Sequence, residues 1–457
     1  MFGLILVLTL TLAGCATYHP MPLDQAAVEK ALAPPDLNSI AIQAHMIRHP
    51  LLRPVNFDLR DGLSPDQAAI LAVIANPDLR ALRDKKGIAQ AQLLQAGILP
   101  NPQVSYNMDF PQAGALAGTV KGYGVALSWD IVSLITRNAK MAAARNQAAA
   151  VDLEVAWQEW QVAQSARQHV YRLALLNQQL AVGREEEKGL RENLNTVKRA
   201  LDLGHVTMVE MAAAQASLQK LHQQILGIEQ QQEQERLALN QALGLPPDQH
   251  LAVAAPEDSR ASRPLPALSE LLEGIQERRL DLLALKMGYQ SQEEKLREAV
   301  LAQMPKITIG FAHGSDTTHV ISSGFTIAID LPIFDRNQGK IAIAHATRQQ
   351  LFDEYTSRLF GARADLAKLL ANMASIRKQV SSMERSIPTL RNLVQTYHRA
   401  LLEGNADVLT YYNARDDLIT KQLDLLNLKL NLADQKVALE IAAGAYLADD
   451  DHKAVTR

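Results

Sequence analysis

The chain is written twice. Asp78-Leu79-Arg80-Ala81-Leu82 matches Asp281-Leu282-Leu283-Ala284-Leu285 at a separation of 203 residues, and the same shift carries Pro102 onto Pro305 and Val104-Ser105-Tyr106 onto Ile307-Thr308-Ile309. At a separation of 200, Trp129-Asp130-Ile131 falls on Ile329-Asp330-Leu331, and Lys140 falls on Lys340. Arg199-Ala200-Leu201 and Gly204 then fall on Arg399-Ala400-Leu401 and Gly404. Internal repetition on this scale makes each half one structural unit. The three residues lost between the two shifts lie between paired strands, where a hairpin tip tolerates a deletion. The expected organisation is a signal peptide 1–14, a lipidated N-terminal linker 15–63, a first repeat 64–245, a linker 246–266, a second repeat 267–447 and a tail 448–457.

Each unit reads as helix, two strands, a very long helix, a turn and a shorter helix. Ser64 and Pro65 start a helix expected to run to Gln95, with Leu99-Pro100-Asn101-Pro102 stopping it. Val104, Tyr106, Met108 and Phe110 then alternate with Ser105, Asn107 and Asp109, the period of a strand. After a Gly/Ala-rich turn, Tyr123, Val125, Leu127 and Trp129 alternate with Gly122, Gly124, Ala126 and Ser128. The second unit repeats the pattern with Ile307, Ile309 and Phe311, then Phe325, Ile327 and Ile329, against small or polar neighbours. A soluble sandwich would bury the bulky faces, but four strands flanked by helices offer no separate core. A barrel wall with aromatics toward lipid and small residues toward a lumen fits better. Four strands cannot close a transmembrane barrel, which needs about eight, so several chains must pool theirs.

From Arg137 to Leu203 no proline interrupts, enough helix for about 100 Å. Val151, Val155, Val162, Val170, Leu173 and Leu180 mark a seam at spacings mostly of three, four or their sum. Gly204 ends that helix and Thr207 to Leu243 returns beside it; the second unit does the same from Gln338 to Leu402 and from Ala406 to about Leu447, with Pro388 expected to bend it. Aromatic residues are only 5% of the chain, which suits close helix packing without a globular core.

Composition removes several alternatives. Net charge is −3, which advertises no nucleic-acid partner. The single cysteine, Cys15, excludes a disulfide framework and a cysteine-based metal centre. No phosphate-cradling glycine loop, nucleophile elbow or HExxH is present, so the chain reads as neither an enzyme nor a cofactor carrier. Among the twelve histidines, His45, His49, His169, His205, His222, His313, His319, His345 and His398 are scattered without ligand spacing, and no metal site is expected. His313 and His319 read as residues flanking the outer hairpin. Leu4 to Leu12 is an apolar stretch too short to span a bilayer, and it ends in Leu12-Ala13-Gly14-Cys15, which looks like a bacterial lipobox. Cys15 is the expected lipidation site, although no Lys or Arg precedes the stretch. Ala16, a non-acidic residue after that cysteine, is similar to the outer-membrane sorting pattern of lipoproteins.

Taken in order, these residues resemble the TolC-type outer-membrane efflux channels over nearly the whole mature chain. The carriers are Ala96-Gly97-Ile98-Leu99-Pro100-Asn101-Pro102, Leu331-Pro332-Ile333-Phe334-Asp335-Arg336-Asn337-Gln338-Gly339, and the two turns at Arg199 to Gly204 and Arg399 to Gly404. The stretch from Pro332 to Gly339 is most similar to the heavy-metal branch of the family. The resemblance implies an α+β membrane protein: a homotrimer with a twelve-stranded β-barrel in outer-membrane lipid, continuous with a long periplasmic α-helical barrel. It implies passive conduction of metal cations or small toxic compounds, delivered by a resistance-nodulation-division-type inner-membrane pump through a periplasmic adaptor, or membrane fusion protein. Under the same resemblance Gly204, His205, Val206 and Thr207, with Gly404, Asn405, Ala406 and Asp407, are the adaptor-contact tips. Glu210, Thr410 and Asn413 are the pore-gate positions, and only the first is acidic. The competing reading is a lipid-anchored periplasmic coiled-coil scaffold or adaptor without a pore.

Overall fold

In the computed structural model, residues 16–33, 36–57, 60, 62–114, 117–254, 264–403 and 405–447 are described. Cys15, the segment 1–14, Gly404 and the tail 448–457 lie outside the described residues.

Two short helices, α1 (Gln25–Leu32) and α2 (Leu37–Met46), precede the first repeat. Its opening helix is broken where the sequence suggested one continuous run: α3 (Pro65–Ala75) is followed by α4 (Pro77–Gly97). The reason is local. Pro77 brings no N–H and disfavours the helical conformation in the residue before it. Asn76 accordingly sits at ψ 124° and caps α4 by accepting from Leu79 N at 3.1 Å. Ser64 and Gln67 close a capping box at the start of α3.

Strands β1 (Gln103–Asp109) and β2 (Gly122–Asp130) lead into α5 (Val132–Asp202), 71 residues or about 105 Å long. Helix α6 (Met208–Leu243) returns along it. In the second repeat, α7 (Leu268–Leu272), α8 (Ile275–Arg278) and α9 (Leu280–Leu301) take the place of α3 and α4. Then come β3 (Lys306–Ser315), β4 (Ile321–Asp330), α10 (Gln338–Leu402) and α11 (Val408–Ala443). Helix α10 continues unbroken through Pro388.

Helix α5 is shared end to end. Its strand-side half meets α4, where Arg137 donates to Gly97 O at 2.8 Å and Arg83 pairs with Glu159 at 2.6 Å. Its far half meets α6 through His169–Glu235 at 2.6 Å and Arg184–Glu229 at 2.8 Å. Of the apolar seam expected on this helix, Val155, Val170, Leu173 and Leu180 are buried, and Val162 packs at the edge of the same core. Mid-length, buried Arg167 of α5 meets buried Glu440 of α11 on one side and solvent-exposed Asp66 of α3 on the other. Arg167 ion-pairs with Glu440 and with Asp66, the latter at 3.0 Å, and stacks over Tyr446 at 4.8 Å. Burial opposes the Arg167 charge, but Glu440 and Asp66 together hold its pKa above the ordinary value.

The four strands form one antiparallel sheet in the order β1-β2-β3-β4. Residues paired across a ladder share a face, so one row runs Val104, Leu127, Phe311 and Phe325 through all four strands. Beside it lie Tyr106, Val125, Trp129, Ile309, Ile327 and Ile329 on that same face. Ser105, Asn107, Gly124, Ala126, Gly310, Ala312, Gly324 and Thr326 occupy the other. The strands of the second hairpin run further than the alternation suggested, so His313 sits within β3 rather than in the turn, bonded to Ser323 at 2.7 Å.

Candidate functional site

The long hairpins end in two turns of related chemistry. At the first, Gly204 adopts φ +73°, which a side chain rarely tolerates, and the helix closes through Gly204 N to Leu201 O at 2.9 Å and His205 N to Ala200 O at 2.8 Å. Thr207 caps α6, accepting from Glu210 N while the Glu210 carboxylate accepts from Thr207 N. Glu210 therefore has a local structural partner, and the sequence assigned it none. At the second turn Asn405 N reaches Ala400 O at 2.7 Å, and Asp407 stands at the cap position of α11 without a side-chain hydrogen bond. His205, Thr207, Asn405 and Asp407 are exposed; Val206, Ala406 and Glu210 are half-buried. Thr410 and Asn413 are both exposed and, three apart on α11, lie on one face. Apolar side chains surround both turns in the open: Leu203, Met208 and Val209 at the first, Leu402 and Leu409 at the second.

Just behind the tips the two hairpins are joined by polar contacts that sequence reasoning missed. The Tyr412 hydroxyl donates to Asn193. Arg415 pairs with Glu186 at 3.6 Å and donates to the Tyr411 hydroxyl at 3.3 Å. Asp416 accepts from Ser217 and ion-pairs with Lys220 at 3.2 Å. Burial, reinforced by neighbouring Tyr411, pushes the Tyr412 phenol up to about 12 against the opposing Arg415 charge, so it remains a donor at any physiological pH. Further from the tips the same α5–α11 contact continues with Gln179 to Asn427 at 2.8 Å and Arg172 to Asp434 at 2.9 Å. The α5 members Arg172, Gln179, Glu186 and Asn193 recur every seven residues, a polar stripe facing the second hairpin. The signal available in sequence was Tyr411-Tyr412, an aromatic pair within a helix of a chain poor in aromatics.

At the other end, the apolar face of the sheet is bare. Val104 is 71%, Ile327 67% and Phe325 89% exposed, and Phe311 meets Phe325 edge to face at 5.5 Å with nothing above them. Among the described residues no helix is long and apolar enough to cross a membrane, and no cluster of three His, Cys, Asp or Glu residues is arranged to hold a metal ion.

The sequence matches the family model of the outer membrane efflux protein over residues 71–245 and again over residues 271–445. The chain belongs to the outer membrane efflux protein family. Among its relatives, the pyoverdine export outer membrane protein OpmQ of Pseudomonas putida is 25% identical over 59% of this chain. That alignment spans 58% of OpmQ, so under two thirds of that relative's length is matched. SilC of Salmonella typhimurium, a probable outer membrane lipoprotein, is 23% identical over 81% of this chain and 83% of its own. The cation efflux system protein CusC of Escherichia coli is 24% identical over 82% of this chain and 84% of its own. A crystal structure of CusC superposes with a TM-score of 0.72 at 20% identity, covering 87% of this chain and 98% of that one. The fold is therefore that of the TolC-type channels, and the protein is an outer-membrane efflux component. Membership sets aside the poreless scaffold.

Proposed function

We propose that this protein is the outer-membrane duct of a tripartite efflux system, a passive channel that is not an enzyme. Three copies pool their strands into a twelve-stranded barrel and their hairpins into a cylinder crossing the periplasm. A periplasmic adaptor engages the tips around Gly204 to Thr207 and Gly404 to Asp407, and an inner-membrane pump of the resistance-nodulation-division type supplies energy and cargo. Residues 64–245 and 267–447 act as the two repeats, joined by 246–266. Lipidation of Cys15 adds an anchor in the outer membrane, and Glu210, Thr410 and Asn413 line the narrow periplasmic end.

The observation carrying this reading is the uncovered apolar face of a sheet whose other face is built of small and polar residues, mostly Gly, Ala, Ser and Thr with Asn107 and Asp109. Water on one side and hydrocarbon on the other is the environment that pattern suits. CusC is named for cation efflux and OpmQ for pyoverdine export. For this chain we infer a cargo of metal cations or small toxic compounds, moved without tight coordination; strong binding would slow exit.

The test is facing. Leu127→Arg and Ile327→Arg place charge against lipid, a penalty of about 2–4 kcal/mol near the bilayer midplane, and should abolish membrane-assembled oligomer. Ser128→Arg, on the opposite face, should assemble. Lipid-face variants that still assemble and conduct would overturn the barrel. Cation and drug accumulation in cells lacking the protein then separates the cargo classes.

A further inference from the structure

The chain has 11 methionines, and two of them, Met208 and Met211, stand three positions apart; no other pair is closer than ten. Both lie at the first hairpin tip, on the opening turn of α6, just after the exposed His205. We propose that His205, Met208 and Met211 form a thioether–imidazole site for a soft monovalent cation, silver(I) or copper(I). The site rests on the cation reading of the cargo for its role, and it narrows that reading to one class of ion.

The backbone sets the placement. Gly204 at φ +73° reverses the chain, and the capping box of Thr207 and Glu210 starts α6 at Met208. Met211 N donates to Thr207 O at 3.2 Å, which closes the first helical turn. Residues three apart on a helix are neighbours on one face, with about 5–6 Å between their Cβ atoms. Two unbranched, flexible thioethers at that separation can reach a single ion. Met208 is 65% exposed and Met211 half-buried at the edge of the hairpin, so the pair opens to water on one side. His205 is exposed, and its ring has no hydrogen-bond partner among the described residues.

The donors choose the ion. Neutral thioether sulfur is soft and selects copper(I) and ions like it, whereas hard divalent cations prefer carboxylates and water. The one carboxylate between His205 and Met211, that of Glu210, is already committed to Thr207 N and to the Thr207 hydroxyl. Its negative charge offsets the positive field at the N-terminus of α6, which would otherwise repel a cation. Among the described residues no three His, Cys, Asp or Glu side chains are arranged around a metal, and this site needs no such set because its main donors are Met sulfurs. Neutral ligands hold the ion without cancelling its charge, so it is released readily, as a duct requires.

The second tip is an internal comparison. At a separation of 200, His205, Met208 and Met211 fall on Asn405, Val408 and Tyr411, none of them a soft-metal ligand. Val408 and Tyr411 are buried in the core shared by the two hairpins. The related turn therefore carries packing residues in one repeat and exposed sulfur in the other. Apolar bulk alone does not call for methionine, since Leu402 and Leu409 supply it at the second tip.

Peroxide footprinting of the full-length, detergent-extracted protein tests the site, with silver nitrate in chloride-free buffer as the probe. A sulfur whose lone pair is bound to silver is withheld from hydrogen peroxide, so occupancy slows sulfoxide formation. Met21, Met46 and Met304 are exposed and serve as reference thioethers. Peptide mass spectrometry reads each methionine separately, which keeps silver bound elsewhere, at Cys15 included, out of the comparison. The expected result is several-fold slower oxidation of Met208 and Met211 with the references unchanged, and no protection from zinc nitrate. His205→Ala should weaken the protection several-fold; unchanged protection removes the imidazole from the site. Equal protection of all five methionines, or of none, overturns the site. Met208→Leu with Met211→Leu keeps the apolar bulk, so it should retain conductance in planar bilayers while making cells more sensitive to silver. Undiminished silver tolerance in that variant overturns the cargo role. Absent protection in a protein that conducts leaves the duct standing, whereas a parent protein that never conducts overturns the duct and leaves the binding result as measured.

Discussion

Asn193 and Tyr412, 219 positions apart in sequence, meet where the descending helix of the first hairpin passes the returning helix of the second. Tyr412 is 4% exposed, and its ring packs against Tyr411 at 5.2 Å. Tyr412→Phe keeps the ring and removes the hydroxyl, which subtracts one hydrogen bond of about 1 kcal/mol per copy. In the trimer proposed above the three losses sum to about 3 kcal/mol, roughly a hundredfold in a closed-to-open equilibrium if opening breaks this contact. The expected outcome in planar bilayers is more frequent or larger conductance steps, enhanced further when Arg415→Ala removes the link to Glu186. Unchanged conductance in both would mean that the tips are closed by other contacts.

Glu210 has two roles available, and one substitution separates them. Its carboxylate closes the capping box with Thr207, a task that glutamine performs equally well. Glu210→Gln should therefore leave folding and trimer yield intact while removing three negative charges from the proposed constriction. Reversal potentials across a salt gradient should shift away from cation preference. If selectivity is unaltered, Glu210 is a helix cap only.

Arg167 and Glu440 are 4% and 2% exposed, so neither charge has water to fall back on. Removing one partner, as in Arg167→Met or Glu440→Gln, should destabilise the middle of the molecule by about 3–5 kcal/mol through the charge left behind. Replacing both together with Met should recover most of that loss. Thermal denaturation of the detergent-extracted protein measures the cycle; additive single effects would show that the pair is not coupled.

Much of the architecture was legible because it is periodic. Alternation of bulky and small residues announced the strands and their faces, and proline-free stretches announced the long helices. The break at Asn76–Pro77 was also written in the sequence, but a proline suits the first turn of a helix as well as it ends one, so position alone did not decide. The tip contacts were not legible. Nothing in the sequence marks Glu186 and Asn193 as partnered, since their partners Arg415 and Tyr412 depend on how far one antiparallel helix is slid along another. Helical periodicity gives the facing residue type and leaves that slide undetermined.

His49 makes the hold of the N-terminal segment depend on pH. Its Nδ1 accepts from Leu51 N and Leu52 N, both at 3.0 Å, and Nε2 donates to Ala156 O at 2.9 Å, an arrangement that only the neutral ring satisfies. Burial depresses its pKa; the Ala156 carbonyl and Glu159 at 3.6 Å pull the other way, and Lys86 and Arg83 add to the depression. Because the folded pKa lies below the unfolded value of about 6.5, the unfolded state binds the proton first. The stabilisation is complete above that value and is lost as pH falls below it toward the folded pKa. Residues 49–57 should exchange amide hydrogens and admit protease faster at pH 5 than at pH 7.5. His49→Asn retains an acceptor for the two backbone donors without a titrating ring, and it should flatten that dependence. An equally steep response in the variant would assign the acid sensitivity to another group.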